Sequence, residues 1–347
     1  MSAKDEHTDT TRNDSAPNGT EPAASQHSRR RLIAVVSVTG ALVAVAALGS
    51  VSFLSTAGHA ATLPVNCQAS PSVCGFPDAT NSGVPSGTTL KTVPGQVSSG
   101  TGWSWNAATS TVNVTGDGAV LSGLSVSGTV NITGDNVTMS NDKVLTNAAY
   151  GISLRHTSGV TIQNSTISGL NITSGRVGAA IGDAYGDSTG MVVQGNNISA
   201  FRSAVQLTGG LVAGNYMHDP GYIQGDHTNG VIANGGTTPL TVNHNTILIS
   251  LSQTDAITLD TMTVDGPVTN KLIQNNLMAG GAYVIYAGTA FGHTTSGVRI
   301  ENNRFGQVYY AKSGQFGPVA YVSPTGVAGN TWTGNVWDST GATIKAP

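Results

Sequence analysis

The stretch VTIQNSTI, Val160–Ile167, contains the phrase that decides the fold, because related copies of it recur along the chain. Each copy alternates apolar and polar residues, which is the periodicity of a β-strand, and then reaches Asn or Gly, which accept turn conformations. The first core apolar residues of seven copies are Met139, Ile162, Val193, Val212, Val242, Ile273 and Ile300. They are separated by 23, 31, 19, 30, 31 and 27 residues. Repeats of this length predict a solenoid.

A second repeated strand lies between these copies. Its members combine a small residue with a β-branched one, and they begin at Tyr150, Ala179, Ser203, Asn229, Asp255, Tyr283 and Pro318. Two repeated strands per turn of the chain, with one more short strand, predict an all-β fold, a parallel β-helix of about eight coils. Successive coils would lie about 4.8 Å apart. Val, Ile and Leu would then stack inside as columns, and Asn side chains would stack at the turns.

The composition excludes several other classes of protein. Only 10% of the 347 residues are charged, 45 are Gly, and 15 Lys and Arg stand against 18 Asp and Glu, a net charge of −3. This argues against a charged coiled coil, an acidic disordered tail and a basic nucleic-acid binder. We therefore expect no nucleic-acid partner.

The N-terminal region has the features of an export signal. Residues 1–28 are polar, and we predict a disordered cytoplasmic region there. The motif SRRRLI at Ser28 resembles the twin-arginine export signal of bacteria, and the apolar run Leu32–Leu54 follows it. Residues 29–60 are predicted to be a cleaved signal peptide or, alternatively, a membrane anchor, with membrane contact only through residues 32–54. Both interpretations place the domain outside the bacterial cytoplasmic membrane, either secreted or anchored to its outer face.

The exported part divides into three predicted segments. Residues 61–109 are an N-terminal cap, residues 110–322 the parallel β-helix, and residues 323–347 a C-terminal cap. Cys67 and Cys74, the two cysteines of the chain, are predicted to form one disulfide, because the compartment is oxidising. The four tryptophans lie in the two flanks, where they either pack the caps or form platforms on which sugars stack.

A family resemblance adds to these inferences. The stretch CGFPDATNSGVPSGTTL, Cys74–Leu90, resembles the N-terminal phrase of exported right-handed β-helix proteins from actinobacteria, and the repeats resemble the pectate-lyase-like superfamily. The resemblance covers about residues 66–340 and implies a right-handed β-helix with carbohydrate activity, by lyase or hydrolase chemistry. The stretch GDHTNGV, Gly225–Val231, matches a His-x-Asp-Gly phrase of such relatives, with Asn229 where the pattern has Asp.

Ionisable side chains are most concentrated between His218 and Asp260. The cluster contains His218, Asp219, Asp226, His227, His244, Asp255 and Asp260. The strand alignment predicts one shallow stripe along the solenoid that contains Arg202, His227, Asn229, Asp255 and Tyr283. Asp and Asn are also common at β-helix turns, where they bond to the backbone, so a structural role is the alternative for each.

Two reactions would use this stripe. A glycoside hydrolase needs a protonated and an ionised carboxyl group, and Asp226 and Asp255 are the candidate pair, with His227 relaying a proton. A lyase needs a base, for which Arg202, His227 and Tyr283 are candidates.

A lyase also needs a group that neutralises the uronate carboxylate. Ca²⁺ is the one cofactor that the cluster suggests, bound by Asp219 together with Asp226 and Asp255. The predicted substrate-binding residues are Asn229, His218, Tyr283 and His244.

We therefore expect an exported, monomeric protein that cleaves an extracellular polysaccharide. The alternative is a non-catalytic glycan-binding or cell-wall-associated scaffold. This alternative is favoured by Asn229, which stands where the family pattern has Asp, and by the low content of charged residues.

Overall fold

Short strands are the main regular secondary structure in the protein, for which a computed structural model describes residues 66–233, 235–259, 267–289, 294–323 and 325–346. The predicted disordered region 1–28, the predicted leader 29–60 and Asp260 lie outside the described residues. Within the described ranges, no helix is long and apolar enough to cross a membrane.

Thirty strands and three short 3-10 helices are described. Strands β1 to β10 are Lys91–Val93, Ser99–Gly100, Trp103–Asn106, Thr111–Val114, Val120–Ser122, Leu124–Ser127, Thr129–Ile132, Thr138–Ser140, Lys143–Leu145 and Tyr150–Leu154. Strands β11 to β20 are Thr161–Gln163, Thr166–Ser168, Val177–Asp183, Val192–Gln194, Asn197–Ser199, Phe201–Gln206, Gly210–Ala213, Tyr216–His218, Thr228–Ile232 and Leu240–Asn243. Strands β21 to β30 are Thr246–Ile249, Thr254–Thr258, Val268–Gln274, Leu277–Gly280, Tyr283–Tyr286, Thr295–Glu301, Arg304–Phe305, Gly317–Ala320, Thr331–Thr333 and Val336–Trp337. The 3-10 helices are Cys67–Ala69, Pro71–Cys74 and Val327–Gly329.

Three sheets contain these strands, and from β5 onward the chain visits them in strict rotation. Sheet A has the order β1-β6-β9-β12-β15-β18-β21-β24-β27-β30, and sheet B the order β2-β3-β4-β7-β10-β13-β16-β19-β22-β25-β28. Sheet C has the order β5-β8-β11-β14-β17-β20-β23-β26-β29. All described pairs in the three sheets are parallel except β2 with β3 and β3 with β4. The fold is thus all-β and mostly parallel, as the sequence predicts for a β-solenoid.

The register confirms the repeat alignment in sheet C. The seven residues from Met139 to Ile300 that head the first phrase are successive cross-strand partners. All seven side chains are buried. The unequal sequence separations between repeats therefore do not disturb the strand register, because the extra residues form longer turns.

The second repeated strand is confirmed in sheet B, with one correction at its end. Tyr150, Ala179, Ser203, Asn229 and Asp255 are successive partners. Tyr283, however, pairs with Gly317 and not with Pro318. The observed register places Val319 opposite Ile285, and both side chains are buried in the core.

A column of buried asparagines stacks at the turn from sheet C to sheet A. Its six asparagines follow Asp142 and Ser165 in the column and are Asn196, Asn215, Asn245, Asn276, Asn303 and Asn335. Each Oδ1 accepts the backbone N–H of the preceding column residue at 2.9–3.0 Å. Each Nδ2 donates to a main-chain carbonyl of the preceding coil at 2.8–2.9 Å. The turn's buried backbone groups therefore all find partners in the column.

The residue before each column member adopts a left-handed conformation. At this position φ lies between 48° and 57° in Asn141, Asn164, His244, Asn275 and Asn302, and Gly195, Gly214 and Gly334 occupy it elsewhere. Gly and Asn tolerate this conformation well, which explains the Asn and Gly repeats of the phrase. His244 thus occupies a turn position of the repeat.

An acidic residue begins the column. Asp142 Oδ1 accepts the Leu124 N–H at 2.8 Å, and the Asp142 N–H donates to Ser165 Oγ at 3.0 Å. Asp142 Oδ2 is buried without a hydrogen-bond partner, at the place where an asparagine would have its Nδ2 donor. Burial raises the pKa of Asp142 to about 7, although hydrogen bonds from the Leu124 and Ser140 backbones offset part of this effect.

Residues 66–90 run lengthwise along the solenoid, across the outer face of sheet A. At one end the Gln68 N–H donates to Asp338 Oδ2 at 2.9 Å. At the other end Gly83 N donates to Gly195 O at 2.8 Å, and Lys91 N donates to Gly123 O at 2.8 Å. Gly83, with φ +80°, passes so close to sheet A that a Cβ there would lie 2.7 Å from Asn197 Cβ. We call residues 66–90 the longitudinal segment.

The disulfide and the tryptophans of the two predicted caps lie at different places in the fold. The predicted disulfide between Cys67 and Cys74 is present and lies in the longitudinal segment. Trp103 and Trp105 lie in β3, in the antiparallel part of sheet B. At the other end Trp332 Nε1 donates to Ile344 O at 2.9 Å. Sealing of the solenoid ends by these segments stays a prediction.

We predict that Asp142→Asn raises the free energy of unfolding at pH 8 by about 1–3 kcal/mol. The amide would supply the missing donor. Because the folded pKa of about 7 lies above the ordinary aspartate pKa of 3.8, Asp142 loses its proton at lower pH in the unfolded chain. Asp142 therefore lowers stability progressively as the pH rises from about 4 to about 7, and the variant removes this loss. Urea unfolding at pH 4 and pH 8 measures the difference. The exposed Asp117→Asn is the control, and an unchanged or lower stability of Asp142→Asn at pH 8 would contradict the prediction.

Candidate functional site

The outer face of sheet B carries two neighbouring columns of side chains. In β22 the consecutive residues Ala256 and Ile257 are both fully buried, while Asp255 and Thr258 on either side bond to each other. This bend turns two positions of each strand toward the same outer face. The first column contains Tyr150, Ala179, Ser203, Asn229, Asp255, Tyr283 and Gly317. The second column contains Ser153, Gly182, Gln206, Ile232, Thr258, Tyr286 and Ala320.

A buried hydrogen-bonded network lies in the middle of these columns. Asn229 Nδ2 donates to Asp255 Oδ1 at 2.9 Å and to Thr258 Oγ1 at 3.2 Å. The Thr258 hydroxyl donates to Asp255 Oδ2. Burial raises the pKa of Asp255 to about 7, and the bonds from Thr258 and Asn229 offset part of the effect. One coil before Asn229, Ser203 Oγ is buried without a partner.

Four aromatic rings form an exposed cluster at the end of the columns beyond Asp255. Tyr283 lies 5.7 Å from Tyr286 and 5.8 Å from Phe316, measured between ring centroids. Tyr286 stacks on Tyr321 at 5.5 Å. Phe316 is 57% exposed and Tyr321 51%. Burial, and next the charge of Asp255, raises the pKa of Tyr286 to about 12, so this phenol stays protonated. We call these rings the tyrosine platform.

Asp226 and Arg202, two of the predicted catalytic residues, lie in a different environment. Arg176 donates from Nε and Nη2 to the two carboxylate oxygens of Asp226, and the Ile223 N–H donates to Oδ2 at 2.8 Å. Burial acts to raise the pKa of Asp226, but Arg176, the Ile223 N–H and the charge of Arg202 outweigh it and lower the pKa. Asp226 is therefore an ionised partner of arginine, and the structure joins it to Asp255 by no hydrogen bond.

The three predicted histidines also lie in separate parts of the structure. His227 is exposed in the loop before β19. His218, the last residue of β18 in sheet A, approaches Asp219 Oδ2 through Nδ1 at 2.7 Å and Asn197 Oδ1 through Nε2 at 2.9 Å. His244 Nε2 donates to Gly75 O at 2.9 Å in the longitudinal segment. Neither His218 nor His244 lies beside Asn229 and Tyr283, the predicted substrate-binding residues in the first column.

The three aspartates proposed to bind Ca²⁺ are not brought together. Asp219 pairs with His218 at the end of β18, Asp226 pairs with Arg176, and Asp255 is enclosed in sheet B. Among the described residues, no group of three or more His, Cys, Asp or Glu side chains is arranged to hold a metal ion.

The repeat pattern predicts Asn229, Asp255 and Tyr283 on one stripe, and the strand register places them in one column. Tyr286, Phe316 and Tyr321 are not among the predicted residues. The signal was present in YVIYA, because Tyr283 and Tyr286 are three residues apart, as Asp255 and Thr258 are in the preceding coil. Comparison with protein-family models and with curated proteins yields no match to this chain.

We predict that Asn229→Ala destabilises the protein by about 1–3 kcal/mol and that the loss is larger at pH 8 than at pH 5. Removing Asn229 deprives the ionised Asp255 carboxylate of a donor, whereas the protonated form loses less. Chemical unfolding at the two pH values measures this. Ser203→Ala in the same column is the control, because its hydroxyl has no partner and its removal is expected to cost little. An equal loss at both pH values would contradict the proposed coupling.

Proposed function

We propose that this chain is an exported protein that binds an extracellular polysaccharide along the outer face of sheet B. The main support for this proposal is the tyrosine platform, which continues the columns that contain Asn229 and Asp255. An exposed group of large apolar rings marks an interaction site on a soluble protein. Aromatic faces beside amide and hydroxyl groups are the combination that binding sites use for ligands with both apolar and polar faces, as sugar rings have.

The longitudinal segment supports this choice of face. It covers the outer face of sheet A, where Gly75 contacts His244 and Gly83 approaches Asn197. On sheet B the middle of the first column is buried, whereas Gln206, Ile232 and Tyr286 of the second column are partly exposed. An extended polymer would therefore lie along the second column.

The polysaccharide we propose is uncharged. The two columns contain one carboxyl group, that of Asp255, and neither Lys nor Arg. A polyuronate would place a row of carboxylates on this face without cations to meet them, and desolvating unpaired charges is costly.

The handedness, the number of coils, the caps and the oligomeric state are also part of what we propose. We propose a right-handed, pectate-lyase-like β-helix of about eight coils, capped at both ends and monomeric. Its location would be extracellular or on the outer face of the bacterial cytoplasmic membrane. The disulfide between Cys67 and Cys74 supports an oxidising compartment.

Cleavage of the polysaccharide is the second candidate function, and the raised pKa of Asp255 favours it. A carboxyl group with a pKa of about 7 beneath a binding face has the protonation state of a general acid. Hydrolysis needs a second carboxyl group. The bond between Asp226 and Arg176 would have to open before Asp226 could serve.

We predict that the protein binds soluble xylan or mixed-linkage β-glucan and that Tyr321→Ala weakens this binding about tenfold, the equivalent of 1.4 kcal/mol. Isothermal titration calorimetry against these polymers and against polygalacturonate measures both effects. Tyr222→Ala, a change of another exposed tyrosine outside the platform, is the matched control. Ultraviolet absorbance and reducing-end assays on the same mixtures report cleavage. Failure to bind any uncharged polymer, or equal losses in the two variants, would defeat the proposal.

A further inference from the structure

A depression adjoins the second column at Gln206, three strands before Tyr286. Its volume is about 340 Å³, and Asp183, Tyr185, Gln206 and Thr208 are among the residues that line it. Tyr185 is 56% exposed there. Gln206 belongs both to this depression and to the second column, so the depression is continuous with the face described above.

The ring of Tyr185 is held in place although it is exposed. His156 stacks on it with ring centroids 4.1 Å apart and an interplanar angle of 14°. Arg155 Nη1 donates to the Tyr185 hydroxyl at 3.1 Å. His156 Nδ1 lies 2.6 Å from Asp187 Oδ2. A ring fixed before binding loses less side-chain entropy when a ligand packs on it.

The loop that carries Tyr185 is anchored independently of the ring. Ser188 donates its N–H and its hydroxyl to the buried carboxylate of Asp183, both at 3.0 Å. Thr208 Oγ1 donates to Gly186 O at 3.1 Å. These bonds do not involve Tyr185, so the conformation of the loop does not depend on this side chain.

The register gives the distance between the depression and the tyrosine platform. Gln206 pairs with Ile232, Ile232 with Thr258, and Thr258 with Tyr286. Three strand spacings amount to about 14 Å. Ile232, which is partly exposed, and Thr258 lie between the two, while the nearby amide of Asn229 is buried and bonded to Asp255 and Thr258.

We infer that the Tyr185 depression is a second sugar-binding subsite of the same face, so that the ligand is an uncharged oligosaccharide long enough to reach both Tyr185 and the tyrosine platform. This inference rests on the proposed function. Two linked subsites make the second contact intramolecular, and the affinity for a long chain exceeds that for a short one. Arg155 and Asp187 beside the subsite carry opposite charges, and the carboxylate of Asp183 in its lining adds a negative charge, which disfavours an anionic sugar.

The test compares chain lengths in calorimetric titrations. The wild-type protein is expected to bind xylan or mixed-linkage β-glucan at least about tenfold more tightly than xylobiose or cellobiose. Tyr185→Ala is expected to remove most of this advantage and to leave the affinity for the disaccharide at the tyrosine platform unchanged. Tyr185→Phe keeps the ring and is expected to retain the wild-type ratio. Tyr222→Ala is again the control.

The outcomes separate the two proposals. If the wild type binds the polymer and Tyr185→Ala binds it equally well with an unchanged melting temperature, the second subsite is overturned while the proposed function stands. If Tyr185→Ala and Tyr185→Phe lose the same affinity, the ring itself is not the contact and the inference also fails. If the wild type binds none of the polymers, the proposed function and the subsite fall together.

Discussion

The hydrogen bonds of the buried asparagine column are the interaction on which the structure depends. A turn inside a stacked solenoid leaves backbone N–H and C=O groups away from water, and an unpaired group there costs about 1–3 kcal/mol. Asn245 illustrates the solution: its Oδ1 accepts the Asn215 N–H, and its Nδ2 donates to Val212 O, each at 2.9 Å. The same amide thus fixes the turn of one coil and the spacing to the next.

This spacing makes residues from distant parts of the sequence into neighbours. Asn229 and Asp255 are 26 residues apart, yet their side chains bond at 2.9 Å. The loops between the strands differ in length without disturbing the register, since the column and the inward Val and Ile residues define where each coil begins. A face built from one or two positions per strand is consequently straight, and it suits an extended ligand better than a compact one.

The repeat pattern predicts the strands and their register because both depend on local alternation and on Asn or Gly at a fixed turn position. It predicts Asn229, Asp255 and Tyr283 on one stripe for the same reason. Alternation does not predict partners contributed by loops: Arg176, 50 residues before Asp226, neutralises the aspartate proposed as a catalytic group. The position of the longitudinal segment on sheet A is not predictable from local sequence either. Gln68 bonds to Asp338, 270 residues away, and no local pattern in either stretch indicates this contact. The predicted pairing of Pro318 is wrong by one residue, because Val284 and Ile285 both face the core and alternation therefore does not distinguish the two adjacent registers.

Comparison of Asn245→Ala with Asn243→Ala tests the role of the column most directly. Asn245 is fully buried, whereas Asn243 is partly exposed and shares one side-chain bond, from Asn275 Nδ2 at 3.1 Å. Urea unfolding at pH 7 should show a loss of about 3 kcal/mol or more for Asn245→Ala, because several buried backbone groups lose their partners, and less than about 0.5 kcal/mol for Asn243→Ala. Equal stability of the two variants would contradict the claim that the asparagine column holds the coils in register.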